Sequence, residues 1–169
     1  MDDIIDLELE KIDDIIAKIK SDPEDDFIKL YELNLWEKIK EKTEEGRRTG
    51  LGVTGEGDML ASLGLTYGTD AATDFSERVH ETLKLAAYRS SVTMAAERGA
   101  FPIYNAEREA QNPFINRIRK ADSELYGDMV LLGRRNISLL TIAPTGTVSL
   151  MTQTTSGVEP VFLPVYKRR

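Results

Sequence analysis

A short apolar run that ends in a turn of small residues constrains the fold of this chain more than any other feature. The run is Ile137-Ser-Leu-Leu-Thr-Ile-Ala143, which has the length of a strand, a high β propensity and little polar alternation. A pattern of this kind is typical of a strand that is buried on both faces, as in a parallel sheet or a barrel. The sequence therefore predicts an α/β fold in which this strand is central.

The residues after the run predict an anion-binding turn. They read Pro144-Thr145-Gly146-Thr147, and Val148-Ser149-Leu150-Met151 then begins a helix. A glycine lets backbone N–H groups approach an anion, two hydroxyls add donors, and the helix contributes its positive end. An ordinary capped turn between a strand and a helix is the alternative. The turn lacks the lysine of a Walker A loop, so the sequence does not predict ATP hydrolysis by that mechanism.

Composition removes several classes of protein and site. The 169 residues include no cysteine and one histidine, His80, which excludes disulfides, thiolate-bound zinc, a cysteine nucleophile or radical, and a multi-histidine metal site. We therefore predict no metal site. No apolar run approaches the ~20 residues that span a bilayer, and Met1-Asp2-Asp3 does not resemble a signal peptide. The sequence predicts a cytoplasmic protein that does not bind membranes.

The negative charge is concentrated at one end. Residues 1–45 hold 16 acidic and 7 basic side chains, whereas residues 46–169 are close to neutral. Neither part has the dense basic stripe of a nucleic-acid-binding protein. We predict an acidic helical hairpin over residues 1–45, with Asp22 as a cap and Pro23 opening the second helix. The apolar stripes of the two helices are Ile5, Leu9, Ile12, Ile16 and Ile19, and then Ile28, Tyr31, Leu35 and Ile39.

A glycine-rich segment follows at residues 46–58. We expect a short buried strand near residues 51–54 and a helix from about Asp58. The glycines match G-x-G-x-x-G only in part and lie within the expected strand, so close backbone approach explains them better than dinucleotide binding.

Three further helices are predicted from apolar periodicity and end signals. The first runs over residues 70–98, ends at Gly99, and has as its buried face Phe75, Val79, Leu83, Ala86, Ser90 and Met94. Asn112-Pro113 opens the second, and the third spans residues 123–132 before Gly133. His80 lies on the first of these helices, where we expect a packing or surface role.

Several runs in this sequence resemble the large catalytic subunit of ribonucleotide reductases, most closely the adenosylcobalamin-dependent (class II) branch. They lie in family order along nearly the whole chain, and the Pro-Thr-Gly-Thr turn favours class II over class I. The runs cover residues 133–150, 155–162, 46–55, 57–60, 83–91, 97–102 and 166–169.

This resemblance implies a helix-rich fragment of a ten-stranded α/β barrel that contributes to the reduction of ribonucleotides to 2′-deoxyribonucleotides by radical chemistry. It implies that the substrate diphosphate is bound by the turn made of Pro144, Thr145, Gly146, Thr147 and Val148. Glu159 matches a family Glu-Pro motif, and we expect Glu159 and Asn136 to support the site. The expected cofactor of the complete enzyme is adenosylcobalamin, with no residue here identifiable as its ligand.

The sequence also departs from the family pattern. The Asn-x-Cys-x-Glu loop that bears the radical cysteine is absent, so we predict no catalytic residue in this chain and no activity of the chain alone. We expect a complementary reductase fragment as partner, and a homo-oligomer when the enzyme is complete. Glu56 stands where we expect an apolar residue in relatives. The alternatives are a non-catalytic helical interaction module with a vestigial phosphate turn, and a fragment of a class I large subunit.

Overall fold

The computed structural model describes residues 1–163, 165 and 167, and these residues form helices joined by loops. The run at residues 166–169 therefore lies, except for Lys167, outside the described residues. The chain divides into two compact units: Met1–Thr49 with Tyr88–Leu139, and Gly50–Ala87 with Leu140–Arg169. No described helix is long and apolar enough to cross a membrane. The described residues form eight helices: α1 (Asp2–Ser21), α2 (Asp26–Gly46), α3 (Glu56–Ser62), α4 (Asp70–Arg98), α5 (Ala106–Glu109), α6 (Pro113–Ala121), α7 (Ser123–Leu132) and α8 (Gly146–Thr152).

The two predicted strands are absent from the described residues. Residues 51–54 and 137–143 run as loops that pair through an isolated parallel bridge between Leu51 and Leu140. The expected burial on both faces is also wrong, because Ile142 is 52% exposed whereas Leu139 is buried. The physical reason is that a strand needs several consecutive backbone hydrogen bonds to a neighbouring strand, and the pairing that the structure describes here is limited to one bridge. Here each segment has the other as its single β partner among the described residues.

In the first unit, α1 and α2 pack together as a helical hairpin. Four of the five apolar residues of the predicted α1 stripe are buried, and the fifth, Leu9, is half-buried. The start of α2 was predicted wrongly: Asp25 caps it by accepting a hydrogen bond from the Phe27 N–H at 2.9 Å, and Pro23 precedes it. Asp22 lies instead after the last residue of α1.

The predicted apolar stripe of α2 was also wrong in its register. Ile28, Tyr31 and Leu35 are exposed, whereas Leu33, Trp36 and Ile39 are half-buried. Because α2 carries apolar residues around most of its circumference, periodicity alone does not select the face that packs.

The long helix α4 has the bounds that the sequence predicts. Gly99 ends it with a positive φ of 86°, and its N–H donates to the Ala95 carbonyl at 2.8 Å. The predicted buried face holds in part: Phe75, Val79, Leu83 and Met94 are half-buried, whereas Ala86 and Ser90 are exposed. The helix instead buries a neighbouring set: Ala72, Tyr88, Ser91, Val92 and Ala95.

A buried polar network ties the first helix to distant parts of the first unit. The Asp2 carboxylate accepts hydrogen bonds from Arg47 Nε at 2.9 Å, Arg135 Nε at 3.0 Å and Asn136 Nδ2 at 2.9 Å. Burial acts to raise the pKa of Asp2, but the hydrogen bonds from Arg47, Arg135 and Asn136 outweigh it and keep that pKa below its ordinary value. The network replaces water around groups that would be costly to bury unpaired.

Arg134 organises the aromatic part of the same unit. Its guanidinium lies within 5.7 Å of the ring centroids of Tyr88, Phe101 and Tyr104, and it pairs with both carboxylate oxygens of Glu109. The side chain of Arg134 is 3% exposed, so these contacts replace its hydration. Planar stacking and a two-pronged ion pair are contacts that arginine makes and lysine does not.

Candidate functional site

The predicted anion-binding turn lies in the second unit, where it leads directly into α8. Thr145 is the residue before the first turn of the helix, and its carbonyl accepts the Ser149 N–H at 2.7 Å. Gly146, Thr147 and Val148 are exposed. Because they open a helix, their N–H groups have no acceptor one turn earlier within it. Three consecutive N–H groups at the start of α8 thus lack an acceptor within the helix, and binding of an anion at this turn stays a prediction.

Thr145 fixes the shape of the turn. Its Oγ1 accepts a hydrogen bond from the Gly157 N–H at 2.8 Å and lies 2.8 Å from Thr54 Oγ1. Thr54 in turn donates to the carbonyl of Thr155 at 3.1 Å. The Thr145 hydroxyl is thus engaged within the protein, which leaves the exposed Thr147 as the hydroxyl of the turn that faces solvent.

Residues 154–160 support the turn and are themselves held by the start of α3. The Asp58 carboxylate accepts the Thr155 N–H at 2.7 Å, and the Gly55 N–H donates to the Thr155 carbonyl at 3.0 Å. Tyr67 adds a hydrogen bond from its hydroxyl to the Val158 carbonyl at 3.0 Å. These contacts hold a loop without regular secondary structure in one conformation.

Two glycines allow the close backbone approach that the sequence predicted. A β-carbon on Gly52 would overlap the Thr141 carbonyl oxygen, and one on Gly57 would come within 2.7 Å of the Glu159 carbonyl oxygen. Both contacts are with backbone, which cannot rotate away as a side chain can. The glycines therefore position the segments that precede and follow the turn.

Glu159 lines a cavity of about 540 Å³ with Asp58 and residues 153–156 and 160–162. Within the described part of the chain it makes no ion pair. Its carboxylate lies beside Gly157, where a β-carbon would be 2.7 Å from Oε2. The structure therefore places Glu159 close to the residues that hold Thr145.

Asn136, the other expected supporting residue, belongs to the first unit and is fully buried. Its side chain donates to Asp2 and to the Arg47 carbonyl, and its Oδ1 accepts a hydrogen bond from Ser91 at 3.0 Å. All three bonds are within the protein, so the contacts of Asn136 are structural.

Sequence reasoning missed the supporting roles of Thr54, Asp58 and Tyr67. Thr54 and Asp58 contact residues 91 and 97 positions further along the chain. The sequence signal was limited to polar residues placed among the glycines of residues 50–58, a pattern that does not identify their partners.

Comparison with known proteins identifies the class to which this fold and turn belong. Residues 25–169 match the family described as "Ribonucleotide reductase, barrel domain". The match covers most of the chain, so this chain belongs to the ribonucleotide reductase barrel-domain family.

Among curated proteins, the chain is similar to enzymes named vitamin B12-dependent ribonucleoside-diphosphate reductase. The protein from Mycobacterium tuberculosis (strain CDC 1551 / Oshkosh) is 34% identical over 122 residues, which are 72% of this chain and 15% of that protein. The protein from Thermoplasma acidophilum is 32% identical over 133 residues, which are 78% of this chain and 15% of that protein. A ribonucleoside-diphosphate reductase subunit alpha from Treponema pallidum is 30% identical over 68% of this chain and 14% of that protein. The chain thus spans about 15% of the length of the relatives it matches.

Proposed function

We propose that this chain forms part of a ribonucleotide reductase and that its turn at residues 144–148 binds the phosphates of the ribonucleotide substrate. The observation that carries the proposal is the turn itself, in which the exposed residues Gly146, Thr147 and Val148 open α8, in a chain of this family. The names of the relatives indicate a ribonucleoside diphosphate as substrate.

The proposed binding mode uses the backbone more than side chains. Phosphate oxygens accept hydrogen bonds from the N–H groups of Gly146, Thr147 and Val148, and the Thr147 hydroxyl adds a fourth donor. Gly146 has no atom within 4 Å of the position of a β-carbon, so space is open beside it. Thr145 contributes indirectly, by joining the turn to Gly157.

Binding at this turn would orient a substrate by its remote end. Phosphates held at a fixed place restrict where the ribose can lie, and this restriction lowers the entropic cost of a reaction at the sugar. The printed sequence contains no cysteine, so the cysteine chemistry expected of the family belongs to other residues of a complete enzyme. We propose that this chain supplies scaffold and phosphate binding and is inactive alone.

We also propose that residues 137–143 become a barrel strand in the complete enzyme. The parallel bridge to Leu51 and the hydrogen bond from the Thr141 N–H to the Leu51 carbonyl, at 3.0 Å, support this pairing. Large apolar side chains of the second unit are exposed, including Leu150 at 78%, Met151 at 82% and Phe162 at 90%. Exposed apolar groups of this size favour association. A complementary reductase segment that bears the radical cysteine is the partner we propose.

For the cofactor, we propose adenosylcobalamin in the complete enzyme, because two of the relatives carry vitamin B12 in their names. We assign no residue of this chain as a ligand for it. The single imidazole, His80, has its Nδ1 at 3.0 Å from the Ser76 carbonyl and its Nε2 beside Glu56. No step of the proposed function therefore involves the cofactor through this chain.

Amide NMR of the full chain tests the phosphate site. Titration with CDP, ADP or inorganic pyrophosphate is expected to shift the Gly146, Thr147 and Val148 amides more than any others. Thr147→Val removes the hydroxyl and retains the side-chain shape, and we expect it to weaken binding about tenfold to 100-fold, the range for a hydrogen bond to a charged group.

Thr82→Val is the matched control. It makes the same chemical change on the exposed side of α4, where the hydroxyl donates to the Arg78 carbonyl, and binding should be unchanged. If millimolar nucleotide causes no shift of the amides of residues 146–148, the result would favour an interaction module over a substrate site.

A further inference from the structure

Glu56, which the sequence singled out as a departure from the family pattern, has one buried oxygen without a hydrogen-bond partner. It is the first residue of α3 and is 8% exposed. Its Oε1 accepts a hydrogen bond from the Ser76 hydroxyl on α4. Its Oε2 is buried without a hydrogen bond, and His80 Nε2 lies 3.6 Å from it. A buried carboxylate oxygen without a donor is costly, so the state of His80 decides the stability of this contact.

The other nitrogen of His80 determines what Nε2 can do. Nδ1 lies 3.0 Å from the Ser76 carbonyl oxygen, which can only accept, so the ring hydrogen resides on Nδ1. In the neutral ring, Nε2 then points a lone pair at Glu56 Oε2, and no hydrogen bond forms. In the protonated ring, Nε2 carries a hydrogen and donates it to Oε2.

We propose that Glu56 and protonated His80 are positioning residues for the phosphate turn, acting through the loop at residues 155–157. The Glu56 N–H donates to the Gly157 carbonyl at 3.3 Å, and the Gly157 N–H donates to Thr145 Oγ1 at 2.8 Å. A hydrogen bond from His80 fixes the start of α3, which fixes Gly157 and so Thr145. The functional part of this inference rests on the proposed phosphate site, whereas the structural coupling does not.

Other ionisable groups lie on the elements around the pair. Histidine is the side-chain type whose ordinary charge change falls near neutral pH. His80 is the single histidine of the sequence, so a change in this range reports on it. Ionisable residues on these elements include Asp58 on α3, Tyr67 before α4, Glu159 in the loop, and Asp74, Glu77, Arg78, Glu81 and Lys84 within two turns of His80 on α4.

Hydrogen exchange of the Gly157 amide in the full chain measures the coupling. Exchange is compared as protection factors, which remove the intrinsic effect of pH on exchange. Between about pH 5.5 and pH 8, we expect protection of Gly157 to fall about tenfold, since a buried acceptor loses its donor. Constant protection across this range would overturn the inference.

Glu56→Gln provides the sharper test, because glutamine at this position can pair with neutral His80, whereas glutamate pairs with protonated His80. Its amide oxygen still accepts from Ser76, and its amide N–H group can donate to the lone pair of neutral His80. We expect this variant at pH 8 to protect Gly157 as strongly as the wild type does at pH 5.5. Protection at pH 8 no higher than that of the wild type would contradict the assigned geometry.

Glu77→Gln is the control, since it removes an exposed carboxylate one turn from His80. Protection of Gly157 in this variant should depend on pH as it does in the wild type. A weaker dependence would show that nearby charge in general, and not the Glu56–His80 contact, causes the effect. This test can succeed when the test of the phosphate site fails. Protection of Gly157 can depend on the protonation of His80 even if no nucleotide binds to the chain. If nucleotide does bind, at pH 8 its affinity should be higher for Glu56→Gln than for the wild type, a comparison at one pH that leaves the charge of the nucleotide unchanged.

Discussion

Replacing Gly52 by alanine tests whether close backbone approach positions the segment before the phosphate turn. A β-carbon at this position would overlap the Thr141 carbonyl oxygen, while the Thr141 N–H donates to the neighbouring Leu51 carbonyl at 3.0 Å. Relief of the overlap requires one backbone to move away from the other. We therefore expect the Leu51–Thr141 hydrogen bond to weaken or break.

The expected magnitude follows from the cost of overpacking. An inserted methyl group that forces backbone displacement costs about 1–3 kcal/mol. At about 1.4 kcal/mol per factor of ten, the protection of the Thr141 amide from hydrogen exchange should fall roughly fivefold to 150-fold. The same experiment reports whether the loss reaches the Ser149 amide in α8, which bonds to the Thr145 carbonyl.

Gly127→Ala is the matched control, because it makes the same substitution inside α7 where a β-carbon would meet no atom within 4 Å. Alanine is favoured over glycine in a helix interior by roughly 0.5–1 kcal/mol, so this variant should be slightly more stable than the wild type. Unchanged Thr141 protection in Gly52→Ala would refute the close approach of these two segments.

Two further predictions concern the first unit, and urea unfolding followed by Trp36 fluorescence measures both. Asp2→Asn should lower the free energy of unfolding by about 3 kcal/mol, the low end for breaking a buried ion pair, because Arg47 retains its contact with Asp6. Since the pKa of Asp2 is below 3.8 in the folded chain, its stabilisation is present above about pH 4 and is lost as the pH falls through that lowered value. The variant should therefore lose less stability than the wild type on acidification, and an equal loss would exclude Asp2 as the cause. Arg134→Lys should cost about 1.5–3 kcal/mol through the lost paired contact with Glu109, and a cost below about 0.5 kcal/mol would show that a point charge suffices there.

The helices could be predicted where the chain carries local start and stop signals. Asn112 caps α6 through the Phe114 N–H at 2.9 Å, and Gly133 ends α7 with a φ of 74°. Each signal acts within one turn of the residue that carries it, so the sequence alone contains the cause. The face that a helix buries depends on partners elsewhere in the chain, which is why the stripes of α2 and α4 were predicted only in part.

The strands were predicted from an apolar run whose structural meaning depends on neighbours. Residues 137–143 have the composition of a central strand, but the described residues supply a single bridge, at Leu140. The apolar composition of a segment indicates that it is stable as a strand when neighbouring strands bury it. It does not indicate whether the same chain provides those strands.

The turn could be predicted from the sequence, and its support could not. The order of a glycine, a hydroxyl and a helix start is local, and α8 begins at Gly146, two residues before the expected start at Val148. The bond between Thr145 and Thr54 joins residues 91 positions apart, so no local pattern shows that the Thr145 hydroxyl is engaged. The same is true of Glu56, whose contacts with Ser76 and His80 turn an unexpected residue into a link between α3 and α4.

The most direct test of the central claim is the position at which a ribonucleotide binds to this chain. A titration of the isotopically labelled full chain with CDP, compared with cytidine, separates the phosphate from the nucleoside. We expect CDP to shift the amides of Gly146, Thr147 and Val148 and cytidine to leave them unchanged. Equal shifts with both, or shifts confined to residues outside the 144–148 turn, would contradict the claim.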